Sequence, residues 1–207
     1  MKKLLMLCFM VTFTAAISAQ DATGTGHTKT DTRESSASQS HNSDSKSSRA
    51  KVDDKTMDFV KEAASGGMME VQLGKLAQKK ASSKDVKDFG ALMVKDHSKA
   101  NDQLKSVAKK NNITLSKKLM DKHQKHVDEL SKLSGKDFDE EYVNMMKDDH
   151  EEDISKFQKA SEDLENNDVK NFAKNTLPVL KKHKEKVDQI DKDMKSISRS
   201  DNSSKNK

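Results

Sequence analysis

Tryptophan is absent from this 207-residue chain, tyrosine occurs once, proline once, and the single cysteine is Cys8. Cys8 lies in an N-terminal segment that reads as a cleaved leader, so the mature chain has no thiol. Without thiols, disulfides, iron–sulfur clusters and thiolate zinc sites are excluded, and imidazole nitrogen, carboxylate oxygen and thioether remain as ligand atoms. A scarcity of aromatics also argues against nucleic-acid binding, which needs stacking rings beside a concentrated basic patch. The formal charge of +5 falls to +3 once Lys2 and Lys3 are lost, and it is interleaved with carboxylates along the whole chain, as on a solvated surface. Nucleic acid is therefore not an expected partner. The sequence leaves the oligomeric state open.

The one long apolar run is at the start. Lys2 and Lys3, the stretch from Leu4 to Ile17 and the small-residue neighbourhood ending Ser18-Ala19-Gln20 read as a secretory signal peptide over residues 1–19. It is too short for a comfortable membrane span, and the mature chain carries no other candidate span. The expected location is therefore the periplasm, with outer-membrane association or secretion as variants. Residues 20–52 are Ser, Thr, Asp, His and Lys with almost no aliphatic side chains, and they cannot bury enough surface to offset ordering entropy. They read as a disordered tether reaching about 30 Å, with His27 and His41 as polar filler. Residues 196–207 read as a similar disordered tail.

Between them, over 53–195, apolar residues recur every three or four positions, which is the pattern of an all-α domain. Five helices are predicted, over about 54–80, 83–111, 119–133, 137–165 and 168–194. The third is short and reads as a crossover. Asp85-Val86-Lys87-Asp88-Phe89-Gly90 and Asp168-Val169-Lys170-Asn171-Phe172-Ala173 form an internal repeat that opens the second and fifth helices, so the four long helices pair as two antiparallel hairpins. That is the architecture of a ferritin-like four-helix bundle.

Each long helix carries one polar residue in its apolar stripe: Glu70, His97, His150 and His183. All four fall near mid-height of helices about 40 Å long, at one level of the bundle. A buried charge without a partner costs several kcal/mol, and a metal ion is a common partner for converging imidazoles and a carboxylate. One Zn, Fe or Cu ion held by Glu70, His97, His150 and His183 is the expectation. The alternative is a polar packing network that specifies helix register. Met93 and Met146, four residues before His97 and His150, share their faces; they read as core filler, with thioether ligation of copper as the alternative. Asp96 and Asp149 point off the stripe and read as solvated residues or outer contacts to the neighbouring histidines. His123 and His126 on the crossover read as packing and capping residues, and the glycines around Glu70 as sites of close helix approach or ligand access. Pro178 is expected to kink the fifth helix.

The runs Glu70-Val71-Gln72-Leu73-Gly74-Lys75-Leu76-Ala77, Met93-Val94-Lys95-Asp96-His97 with Ala100, Tyr142 to His150, and Thr176-Leu177-Pro178-Val179-Leu180 with His183 resemble the exported bacterial "domain of unknown function 4142" family over about residues 57–190. The resemblance implies a ferritin-like fold, export and no established activity. A di-iron centre would carry Glu three residues before a ligating His, whereas Val94, Lys147 and Leu180 stand there, so a single ion suits the sequence better than an iron pair. The functional expectation is an exported bundle that binds a transition-metal ion for metal handling or protection from oxidants. A non-catalytic structural or envelope-stress interaction protein is the alternative. No nucleophile or acid–base pair outside the cluster points to catalysis, and enzyme activity stays open.

Overall fold

The computed structural model describes residues 52–205, with side chains through Arg199. The expected signal peptide, nearly all of the expected tether and the last two residues lie outside the described residues.

Periodicity, caps and turn residues set five helices: α1 (Asp54–Lys80), α2 (Lys84–Lys110), α3 (Asp121–Ser131), α4 (Gly135–Asp163) and α5 (Asn167–Lys205). No strand occurs among the described residues. Asp53 starts α1 by accepting from the Thr56 backbone N–H at 2.9 Å and the Thr56 hydroxyl at 2.6 Å. The start of α2 is capped from another helix. Ser83 is its N-cap residue but makes no side-chain cap bond. The acceptor is Asp139 of α4, which takes the backbone N–H groups of Ser82 and Ser83 at 3.1 and 2.8 Å and the Ser82 hydroxyl. A carboxylate receives three donors better than one serine hydroxyl, and it also ties the two hairpins together. At its other end α2 closes with Asn112 at φ 56°, a left-handed position that asparagine tolerates, while Ile113 N–H reaches back to the Ala108 carbonyl at 2.8 Å.

α5 departs from expectation, running to Lys205 where an end near Met194 and a disordered tail were predicted. No glycine or proline follows Met194. Instead Lys195 pairs with Asp191 at 2.8 Å, and the Ser196 and Ser198 hydroxyls bond back to the carbonyls of Asp193 and Met194. These contacts, spaced three or four residues, support the extra turns despite their polar composition. Pro178 lies inside α5, which runs through it.

α1 packs against α2 and α4 against α5, forming two hairpins, with α3 crossing over between them. The core is divided into two apolar clusters. Met69, Leu73, Phe89, Met93, Tyr142, Met146 and Val187 belong to the one at the α1–α2 turn. Val60, Leu104, Phe157, Phe172 and Leu180 belong to the one at the opposite end. Along α2, α4 and α5 the change from one cluster to the other spans His97, His150 and His183, and on α1 it falls between Ala64 and Met69, just before Glu70. The apolar stripes are thus interrupted by a single polar layer. This is the ferritin-like bundle that the hairpin repeat predicted.

Close approach of α1 and α2 places that layer. A Cβ added at Gly74 would lie 2.6 Å from the Gly90 carbonyl oxygen, and one at Gly90 would lie 2.6 Å from the Ala77 Cβ. Two facing glycines let the backbones meet one turn from Glu70.

Candidate metal centre

Glu70 comes from α1, His97 from α2, His150 from α4 and His183 from α5, with exposures of 1, 5, 0 and 1 %. The structure brings all four together. The imidazole centroids of His97, His150 and His183 lie 5.2 to 5.7 Å apart. One ring nitrogen from each of the three falls within a sphere in which no pair is more than 4.8 Å apart.

Hydrogen bonds from outside the cluster fix two of the tautomers. His150 Nδ1–H donates to the Met146 carbonyl at 3.0 Å, which leaves Nε2 bare. His183 Nε2–H donates to the Asp96 carboxylate at 3.0 Å, which leaves Nδ1 bare. These two bare nitrogens face each other at 3.3 Å. Two lone pairs in that position repel unless a cation lies between them. Burial pushes His150 well below the usual imidazole range and holds His183 at about 4, although Asp96 pulls the latter upward, so a proton does not serve at neutral pH.

Glu70 Oε2 lies 2.5 Å from His97 Nδ1, and Glu70 Oε1 lies 3.7 Å from His150 Nε2. Burial, reinforced by the nearby Asp153 carboxylate, raises the Glu70 pKa well above normal, while burial lowers His97 to about 4. Both shifts disfavour an ion pair across this contact. His97 Nε2 is buried without a protein hydrogen-bond partner.

Two carboxylates complete the surroundings. Asp96 is the expected outer contact, to His183. Asp149 goes beyond that role, because its carboxylate converges with Glu70 and His150 in a second group whose ligand atoms lie within 4.8 Å of one another. Asp153, which the sequence reading did not single out, stands one turn further along α4 and interacts electrostatically with Glu70, His97 and Asp149. Burial and the Asp149 charge push Asp153 up to about 7, and burial with the Glu70 charge pushes Asp149 well above its normal value. The spacing Met146, His150, Asp153, Phe157 is the signal that places Asp153 on the inner face.

Met93 and Met146 are fully buried in the apolar cluster, and Met146 contributes its backbone carbonyl. His123 stays apart from the centre. Its Nδ1 meets the Ser65 hydroxyl at 2.7 Å, joining the crossover helix to α1. His126 is likewise outside both convergent groups. No described helix is long and apolar enough to cross a membrane.

The fold resembles solved structures of another uncharacterised family. A DUF305 fragment from Deinococcus radiodurans aligns with a TM-score of 0.59 at 10 % identity, covering 67 % of this chain and 96 % of that one. A putative secreted DUF305 protein from Streptomyces coelicolor aligns with a TM-score of 0.56 at 10 % identity, covering 66 % of this chain and 91 % of that one. At that identity the likeness concerns the fold alone. A comparison with curated proteins finds no match. Residues 41–190 match the family described as "Domain of unknown function (DUF4142)", and the chain belongs to that family.

Proposed function

We propose that this protein is an exported helical bundle that binds one transition-metal ion at His97, His150 and His183 with Glu70, serving metal handling or protection from oxidants in the periplasm or at the outer envelope. The observation that carries the reading is the pair of bare nitrogens on His150 and His183, 3.3 Å apart. An ion bound at Zn–N distances with a tetrahedral angle requires a nitrogen–nitrogen separation of about 3.3 Å. The Met146 carbonyl and Asp96 are the outer contacts that keep histidine ligands oriented. Zn, Fe and Cu all accept imidazole nitrogen, and the donor set does not choose among them.

The test is elemental analysis of the mature protein isolated from its own exported compartment without affinity tags or chelators, beside the His97→Ala/His150→Ala double variant. Near-stoichiometric metal in the wild type, lost in the folded variant, is the expected result. Absence of metal from both, with both folded, would refute it and favour a structural or envelope-stress interaction protein. The 2.5 Å Glu70–His97 bond is the observation that would then count as register-fixing polar packing.

A further inference from the structure

Glu70, His97, His150 and His183 are all buried, so an ion reaches them only by passing between helices. On the α2–α5 side the Asp96 carboxylate stands 3.0 Å from His183 Nε2, and entry there would break the bond that orients the ring. The α1–α4 side differs. A cavity of about 360 Å³ opens between the first half of α1 and the second half of α4, floored by Phe59, Ala63, Phe157 and Ala160 and walled by Asp153. At about 30 Å³ per water it holds about twelve waters, enough for an ion that keeps an octahedral hydration shell. Lys156, also on the wall, has its charge paired with Glu62 and Glu152 at 2.5 Å each.

Helical spacing continues from this cavity to the centre on both helices. Phe59, Ala63, Gly66 and Glu70 fall on one line of α1, and Gly66 has no side chain to fill the seam; a Cβ there would meet only a His123 ring carbon at 3.9 Å. Phe157, Asp153 and His150 fall on one line of α4. Along these two lines Asp153 is the one side chain between the cavity floor and the ligands. We infer that the cavity is the entrance to the metal centre and Asp153 its gate: a hydrated divalent ion enters between α1 and α4 and passes Asp153 to reach Glu70 and the imidazoles. Asp153 positions the ion in transit and is not a ligand of the bound state. The inference rests on the metal-binding reading, but it concerns the rate of filling, whereas that reading concerns occupancy.

The experiment mixes the full mature chain, stripped by chelator, with Co2+ in a stopped-flow instrument. Visible absorption of bound Co2+ gives the rate, and elemental analysis after equilibration gives the amount. Ala63→Phe fills the cavity, and Asp153→Leu closes the gate with an apolar side chain of similar size. Met194→Phe, in a cavity at the opposite end of the bundle, is the control. Uptake should be about tenfold or more slower in Ala63→Phe and in Asp153→Leu and unchanged in Met194→Phe, with one Co2+ per chain at equilibrium in every case. Ala63 is only half-buried, so phenylalanine can project into the cavity; a thermal melt checks folding, and Ala63→Leu replaces a variant that does not fold. Wild-type uptake rate in either folded variant, or equal slowing in Met194→Phe, would overturn the entrance. Loss of bound Co2+ at equilibrium from Asp153→Leu would make Asp153 a ligand and overturn the gate. A wild-type protein that takes up no Co2+ would sink the metal centre itself, and the entrance with it.

Discussion

Alanine at Gly74 should destabilise the bundle, although alanine is the better helix former. The propensity gain is about 1 kcal/mol. Against it stands the facing backbone: the new Cβ would lie 2.6 Å from the Gly90 carbonyl oxygen and 3.0 Å from a Val94 methyl. Backbone cannot rotate aside as a side chain can. Ordinary contact begins at 3.4 Å, so α1 and α2 must part by about 0.8 Å at this level. Overpacking of that kind costs about 1–3 kcal/mol, which leaves a net loss of about 1 kcal/mol, or ~2–4 °C in Tm for a domain of this size. The same movement stretches the 2.5 Å contact between Glu70 and His97, one turn below on α1 and two turns along α2. Metal affinity should fall with stability. Gly66 supplies the control, since a Cβ there meets only a His123 ring carbon at 3.9 Å. Gly66→Ala should therefore raise stability by about 0.5–1 kcal/mol through propensity alone and leave the centre untouched. Urea denaturation of the two variants and the wild type, in chelator, measures both effects. Should Gly74→Ala melt at or above wild type, the close-approach argument fails.

Three other consequences can be checked in the same protein. Asp139→Ala removes the acceptor of two backbone N–H groups and a hydroxyl at the start of α2 and should lower unfolding free energy by about 2 kcal/mol; an unchanged denaturant midpoint would show that water replaces it without loss. Asp96→Ala frees His183 Nε2 while leaving the fold intact and should cost ~10–100-fold in metal affinity, measured by competition with a chromogenic chelator; equal affinity would rule out an orienting role. Asp153 is raised in the fold from 3.8 to about 7, so it contributes stability below its unfolded value that is lost as pH rises through 7. Asp153→Asn should accordingly match wild type near pH 4 and exceed it progressively toward pH 7 in chelator-treated protein, and a constant difference across that range would contradict the raised value.

Sequence periodicity was sufficient for the parts of the molecule that depend on local pattern. Glu70, His97, His150 and His183 were visible because each replaces an apolar residue at a known phase of a helix, and the repeated Asp-Val-Lys segment set their common height. Features that depend on contact between distant segments were not visible. Asp139 lies among acidic neighbours on α4, and only the folded chain shows it meeting Ser82 and Ser83. The glycines at 74 and 90 could be flagged singly, but their pairing is a property of helix spacing. Asp153 shares the phase of Met146 and His150, yet its charge made solvent the ordinary assignment. The end of α5 was misjudged because Ser and Asn composition argued for fraying, whereas Asp191, Asp193 and Lys195 provide contacts at helical spacing. Composition weighs residues one at a time, and helix continuation depends on pairs.

The distribution of the centre over both hairpins leads to a thermal test. Glu70 and His97 belong to the α1–α2 hairpin, and His150 and His183 to the α4–α5 hairpin. An ion coordinated by all four would cross-link the two halves exactly where the apolar core is interrupted. Binding to the folded chain alone stabilises it by about 2.7 kcal/mol when free metal is a hundred times Kd, equivalent to ~5–10 °C in Tm. Because the ligands are divided between hairpins, removing one from either should abolish the rise. His97→Ala and His183→Ala should each melt at the same temperature with and without Zn2+, while wild type shifts upward. A ligand set confined to one hairpin would spare one of the two variants. A Zn2+ shift of wild-type size in both variants would place the ion elsewhere on the molecule and return the buried histidines to the role of core packing.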